Sequence, residues 1–429
     1  MTRSFLRCSD PQCATEVREP GPTFVCSACG GLVEVVYEID GVQPDRWPEL
    51  WRGRHGSGSL TDRSGVWRFR ELLPFLPAGQ DPISLGEGST PLVSAPVAAA
   101  WAGFEHLEVK HQGVNPTGSF KDLGMTACVS HAVARGAEMV ACASTGNTSA
   151  SMAAYAARAG LKALLFVPGG AVSGAKLAQA IDFGALVVEA GSNFDQSLEL
   201  LRRTAGALGC YVVNSINPYR LEGQKTLVAE LLEQRGWLVP DCIVVPGGNL
   251  GNVSAMAKGL AELLEFGLID KLPRLIVVQA EGADPFFRLW SSGAQVLEPV
   301  LDPETRANAI RIGNPANWTK ALRALRWTEG TCEAVSDAEI GAAKEVLSRD
   351  GIGCEPASAT TIAGLKKLGA AGQIESGADI VAILTGHQLK DVDYILEERT
   401  ATERRLRLGK EPDQEAAPEV IAAWLATLS

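Results

Sequence analysis

The stretch VNPTGSFKDLGMTACVSHAVARGAEMVACASTGNTS, residues 114–149, decides how the rest of the chain is read. Asn115-Pro116 and Gly118 break regular structure. Ser119, with Asp122 three residues later, has the spacing of a capping box ahead of the apolar-rich run from Leu123 to Val133. The pattern predicts a helix with Lys121 in its first turn. Unpaired backbone amides and the positive end of the helix dipole gather there, which disfavours an ammonium and favours a neutral amine or an imine. Judged on residue type alone, a lysine at a helix start is an ordinary solvated side chain. After that helix, Met139 to Ser144 is a strand-like apolar run, and Thr148 to Arg158 returns to helical spacing. A short apolar run between two helical ones is the unit of a parallel sheet covered by helices.

The same alternation continues outward. Lys162 to Val167 reads as strand, Gly174 to Asp182 as helix, Ala185 to Ala190 as strand, Asn193 to Leu208 as helix and Cys210 to Asn214 as strand. Residues 115–214 are therefore expected to form a small α/β domain. Helices at Leu221 to Arg235 and Val253 to Phe266, strands at Cys242 to Val245, Arg274 to Gln279 and Asp379 to Leu384, and helices after Ser336 and Pro356 predict a larger α/β domain over 215–429. Residues 46–114 read as a Trp- and Arg-rich connector plus the first part of that larger domain. In the connector the Gly56-Ser57-Gly58-Ser59 run is a loop, and its tryptophans are expected to pack onto the main body. The tail, charged from Glu397 to Asp413 and helical from Pro418 to Leu428, is expected to be peripheral.

Residues 1–45 carry a separate signal. Cys8, Cys13, Cys26 and Cys29 are spaced C-x4-C-x12-C-x2-C, and Cys26-Ser27-Ala28-Cys29-Gly30-Gly31 has the form of a zinc-ribbon knuckle, followed by a strand at Val33 to Ile39. Four thiolates would leave no open position for water, so a zinc ion there would be structural; the alternative is four unligated thiols. The remaining six of the ten cysteines stand in apolar contexts and read as small core residues.

Three further motifs follow strands or open helices. Pro246-Gly247-Gly248-Asn249-Leu250-Gly251-Asn252 leaves a strand and opens a helix, so its amides can converge on an anion; the competing reading is an ordinary βα turn. Ala143 to Ser149 is a second such turn, rich in N-capping residues. Arg220, in Asn214-Ser215-Ile216-Asn217-Pro218-Tyr219-Arg220-Leu221-Glu222, stands at another helix start. By residue type alone it packs over the helix start and pairs with a nearby carboxylate such as Glu222.

Together, Asn115 to Asp122, Ala143 to Ser149 and Pro246 to Asn252 resemble the pyridoxal-phosphate signature of the threonine synthase family, in the family's order, over roughly Trp67 to Asp391. The wording around Lys121 is closer to the plant-type members. The resemblance implies a fold type II pyridoxal-phosphate enzyme, two open twisted-sheet α/β domains of the tryptophan synthase β-like class with the cofactor between them, plus the ribbon. It implies that Lys121 is the catalytic and cofactor-bearing lysine, that Asn147 meets the ring hydroxyl, and that Gly247, Gly248, Asn249, Gly251 and Asn252 hold the cofactor phosphate. It places Thr385, in Leu384-Thr385-Gly386-His387-Gln388-Leu389, at the pyridine nitrogen, where a neutral hydroxyl does not enforce protonation. Gln388 departs from the glycine expected there. The resemblance further gives Ser144, Thr145 and Thr148 to the substrate and Asn214, Ser215 and Arg220 to its phosphate. The implied reaction is the conversion of O-phospho-L-homoserine and water to L-threonine and phosphate, in a cytoplasmic homodimer. A dehydratase or β-replacement synthase of the same fold, or a non-catalytic sensor of a phosphorylated metabolite, are the rival readings.

Composition is consistent with this. With 39 Lys+Arg against 50 Asp+Glu the formal charge is -11, which argues against nucleic acid or an anionic membrane as partner. No uninterrupted apolar run reaches the roughly 18 residues of a membrane span, and no apolar leader segment stands at the N-terminus.

Overall fold

The computed structural model describes residues 2–18, 24–39, 41, 43–169, 174–191, 194–400 and 417–426. Its centre is a six-stranded sheet in the order Thr331–Val335, Arg274–Ala280, Cys242–Pro246, Ile380–Leu384, Glu108–His111, Leu92–Ser94. All neighbours are parallel except Leu92–Ser94, which pairs antiparallel with Glu108–His111 at one edge. The two central strands, CIVVP and IVAIL, are buried at every position. Continuous apolar strands are what a parallel sheet needs when helices cover both faces. A second, four-stranded parallel sheet has the order Leu186–Glu189, Lys162–Val167, Met139–Ala143, Tyr211–Val212. Two α/β sheets of this kind are the architecture expected of the sequence.

The N-terminal segment forms a three-stranded antiparallel sheet, Glu16–Val17, Thr2–Cys8, Val33–Ile39, with Cys8 opposite Val33. The connector is more regular than its Trp/Arg composition suggested, with helices at Trp47–His55 and Leu60–Arg63 and a 3-10 segment at Trp67–Leu72. Trp47, Trp51 and Trp67 are buried in the same core as Leu227, Leu231 and Leu263, so they do anchor the connector to the body. The six cysteines outside the ribbon are all buried.

Residues Met1–Lys390 form one compact unit and Asp391–Ser429 a second. Within the second, helices run over Val392–Thr400 and Ala417–Ala426; most of the charge-rich stretch, and Leu428, lie outside the described residues. Among the described residues no helix is long and apolar enough to cross a membrane.

One local expectation is overturned. Ser119 does not cap the helix Lys121–Ala134: no side chain caps it, and the buried Ser119 hydroxyl has no partner among the described residues. Asp122 instead reaches back past Ser119 to Thr117, accepting from its amide at 2.7 Å and its hydroxyl at 2.6 Å, and it accepts from Ser151 at 2.6 Å. Gly118 at φ 85° turns the chain so that Thr117 faces the helix end. Lys121 keeps its expected place as the first residue of the helix.

Candidate active site

Backbone pairing fixes Lys121 against the end of a central strand. Phe120 N–H donates to Thr385 O and His387 N–H to Gly118 O, both at 2.9 Å, so the lysine loop and the Thr385 segment are one short ladder. On the other side the helix Lys121–Ala134 crosses Pro218–Gln234 at glycine contacts. A Cβ on Gly124 would stand 2.8 Å from Arg220 O, and one on Gly223 would collide with Leu123 O. Two missing side chains therefore let Lys121 and Arg220 enter one cavity. The start of the second helix is locally specified: Pro218 occupies its first turn, and the Asn217 side chain accepts from Tyr219 N–H at 3.0 Å.

The third wall is the turn Pro246 to Asn252. Leu250 takes a left-handed φ of 60° and the helix Gly251–Glu265 begins directly after it. Gly247 lies flat on the neighbouring strand, where a Cβ would meet Val277 Cγ1 at 2.6 Å. Asn249 is held by Ala316 N–H, which donates to its Oδ1 at 3.1 Å, so its carboxamide braces the loop. Both polar atoms of the Asn252 carboxamide are buried without a partner among the described residues. A buried, unsatisfied amide beside free helix-start N–H groups fits a ligand anion.

The cavity so formed is lined by Lys121, Asn147, Ser215, Arg220, Gly248, Asn249, Gly251, Asn252 and Thr385, from motifs up to 264 residues apart in numbering (385 − 121). Five of the singled-out residues are not on that wall. Gly247 is under the loop, Ser144 and Thr145 lie on the neighbouring turn and Thr148 in the first turn of the helix Asn147–Ala159 after it, all three part-exposed. Asn214 has its carboxamide engaged with the Ala143 backbone at both ends, 3.1 and 2.9 Å, which ties two strand ends together. Two polar lining residues were not foreseen, Gln224 and Glu355, nor were the apolar Ala309 and Ile310. Gln224 follows Arg220 by one helical turn, so helical spacing could have found it. Glu355 carries no such signal. It accepts from Asn147 Nδ2 at 3.0 Å and from the Thr385 hydroxyl at 3.1 Å, joining two residues expected at the cofactor ring. Gln388 opens a 3-10 turn without a positive φ, so nothing there requires glycine.

The electrostatics are those of a site waiting for an anion. Burial first, and the Arg220 charge after it, lower the Lys121 amine to about 7, while Glu355 opposes both. Arg220 is itself depressed by burial. Among the described residues its guanidinium makes one hydrogen bond, from Nη1 to Val213 O at 3.2 Å, and its buried Nε has no partner. Glu222, the carboxylate it could have paired with, is taken by Lys225, Lys258 and Tyr37. Burial raises Glu355 above the usual carboxylate range.

Away from this cavity, the sulfurs of Cys8, Cys13, Cys26 and Cys29 all lie within 4.8 Å of one another. The Cys8–Cys29 and Cys13–Cys26 separations are 3.4 and 3.8 Å. Gly31 N–H points at the Cys29 sulfur from 3.4 Å, as amides of a knuckle do toward a thiolate. Four thiols at these spacings suit tetrahedral zinc, whose sulfur ligands stand about 2.3 Å from the ion.

A lysine in the first turn of a helix, a glycine-rich strand-to-helix cup and a strand-end threonine around one cavity define a pyridoxal-phosphate enzyme, and residues 83–386 match the family described as pyridoxal-phosphate dependent enzyme. Within that class the chain belongs to the threonine synthase family. It is 44% identical to the threonine synthase of Methanosarcina acetivorans over 91% of this chain and 93% of the relative. It is 47% identical to that of Methanocaldococcus jannaschii over 86% and 89%. In fold it is similar to the solved threonine synthase of Escherichia coli, with a TM-score of 0.70 at 20% identity, covering 96% of this chain and 93% of that one.

Proposed function

We propose that this chain converts O-phospho-L-homoserine and water to L-threonine and phosphate. The observation that carries the reading is Arg220: a buried guanidinium with no carboxylate partner among the described residues, sharing a cavity with a separate backbone cup. One anion is met by the cup and a second by the arginine, which is what a phosphorylated cofactor and a phosphorylated substrate require. A dehydratase of the same fold has no second phosphate to meet, which leaves Arg220 without a role.

Gly248, Gly251, Asn252 and the other amides of the cup would hold the cofactor phosphate, with Asn147 and Thr385 at the ring. Bound there, pyridoxal phosphate supplies a conjugated system that delocalises charge from the substrate's α-carbon. Lys121 moves protons at the α-carbon and then at the neighbouring carbons, a task suited to an amine held near 7. Arg220 and Ser215 orient the phosphate ester so that phosphate departs from the γ-carbon, with Ser144 and Thr145 on the adjoining turn and Thr148 in the helix start after it facing the rest of the substrate. Water then adds at the β-carbon, and the walls of the cavity must hold water back until phosphate has left. We assign the small α/β domain to residues 115–214 and the larger one to 46–114 with 215–390, with the peripheral tail as a unit of its own. The four cysteines are read as a structural zinc site. We place the enzyme in the cytoplasm as a homodimer, and its charge of -11 supports a small-molecule partner over nucleic acid or membrane.

The test is a panel of amino acids and their phosphate esters, assayed for phosphate, threonine, ammonia and 2-oxo acid. Equal amounts of phosphate and threonine from phosphohomoserine support the assignment. Ammonia and 2-oxo acid released faster from threonine or serine would replace it with a dehydratase.

A further inference from the structure

The Arg220 side chain owes its position to its helix, since its one hydrogen bond among the described residues is a 3.2 Å contact to a backbone carbonyl. Beyond the local cap at Asn217, the beginning of that helix is tied to the N-terminal ribbon. Tyr37, on the strand Val33–Ile39, donates its hydroxyl to Glu222 Oε2 at 2.8 Å, two residues beyond Arg220. Its ring lies 4.6 Å from Lys225 Nζ and 5.2 Å from Lys258 Nζ, the two ammonium groups that also grip Glu222. Lys258 extends the grip by donating to Val35 O at 2.6 Å. On the opposite flank of Arg220, Phe24 packs edge-on against Tyr219, centroids 6.3 Å apart. The residues on both sides of the arginine are thus fastened to the ribbon, while the arginine side chain is left without a carboxylate among the described residues.

We propose that Tyr37 is a positioning residue for Arg220, so that the ribbon sets the enzyme's affinity for the phosphate of its substrate. The hydroxyl and ring of Tyr37 hold Glu222 and its two lysines, Glu222 holds the first turn, and the first turn aims the guanidinium. This rests on Arg220 being the substrate-phosphate group.

Tyr37→Phe keeps the ring and loses the hydroxyl; Tyr37→Leu loses both. In cofactor-saturated enzyme KM for phosphohomoserine should rise about fivefold in the first and more in the second, with kcat within twofold. Hydrogen bonds to charged groups are strong enough to carry such a change when only part of the loss reaches the arginine. The dissociation constant of inorganic phosphate, followed through the absorbance of the bound cofactor, should rise in parallel, and cofactor affinity should stay at the wild-type value. Glu222→Gln, which preserves shape, should reproduce the KM effect if Tyr37→Leu folds poorly. In an Arg220→Ala background, Tyr37→Phe should change KM by less than twofold. An undiminished effect there would mean that Tyr37 acts through general stability, and the proposal falls. If Arg220→Ala itself leaves KM and phosphate binding unchanged, the error lies in the reading of Arg220 instead.

Discussion

The two proposed phosphate sites of the cavity are built from opposite materials. The cup at Gly248 to Asn252 is backbone: its amides point where the strand-to-helix turn sends them, and the Asn252 side chain is buried without a partner among the described residues. The site at Arg220 is a single side chain on a helix brought near by Gly124 and Gly223. Backbone amides carry fixed partial charges and suit a permanently held anion, whereas a full charge on a side chain suits an anion that must arrive, react and leave. The difference predicts that each site can be damaged without the other.

The largest expected effect is at Arg220. Charge-assisted hydrogen bonds contribute roughly 1.5–3 kcal/mol each, so Arg220→Ala should lower kcat/KM for phosphohomoserine at least about a hundredfold. Cofactor occupancy, read from absorbance, should hardly change; a collapse of occupancy would merge the two sites into one. The converse variant, Asn252→Ala, should weaken cofactor affinity about tenfold, by the loss of one hydrogen bond to a charged group. At saturating cofactor its kcat/KM should remain near that of the parent enzyme, and a large loss there would break the division.

Lys121 sharpens the contrast because the Arg220 charge is among the causes of its lowered value. Its folded value of about 7 lies below the usual lysine range, so the neutral amine predominates above that pH. Capture of cofactor by cofactor-free enzyme should rise with pH, reach half its plateau near 7 and fall about tenfold per unit below it. Arg220 contributes to the depression. Removing it should therefore move the profile to higher pH, while Asn252→Ala should leave the profile in place. Stopped-flow rates across pH 5.5 to 9 check both outcomes.

The smallest effect on the cavity should come from the metal. Chelation, or Cys26→Ser, should lower the melting temperature by several degrees while turnover at saturating substrate and a permissive temperature stays within a few-fold. Protein produced with zinc available but found to contain none would remove the premise.

The backbone site was the more legible of the two in the sequence. Pro246-Gly247-Gly248 after VV, with Asn252 opening a helix, states its own geometry through the residues that permit it. The parallel strands were equally plain, since CIVVP and IVAIL must be covered on both faces. Arg220 could be named, but its partners could not: the sequence offers Glu222 two residues on, and only the fold shows that carboxylate committed to Tyr37, Lys225 and Lys258. Glu355 stayed hidden because a lone acid before a proline gives no periodic or capping signal. The Ser119 capping box failed because one left-handed glycine moved Thr117 into its place. Asn214 and the connector helices show the same limit, since residue type suggests a role while the packing partner decides it.

The ribbon's anchoring also bears on the order in which the molecule is made. Tyr37 leaves the ribosome long before Glu222, 185 residues later, which at typical synthesis speeds is roughly 10–40 s. Strands Thr2–Cys8 and Val33–Ile39 can pair at once, since every contact between them is local to the first forty residues. Their outer face must then wait for helices Pro218–Gln234 and Gly251–Glu265 to be synthesised. The nascent chain thus carries the paired ribbon strands ahead of the body that will close against them, and the helices Pro218–Gln234 and Gly251–Glu265 meet a surface that is already made.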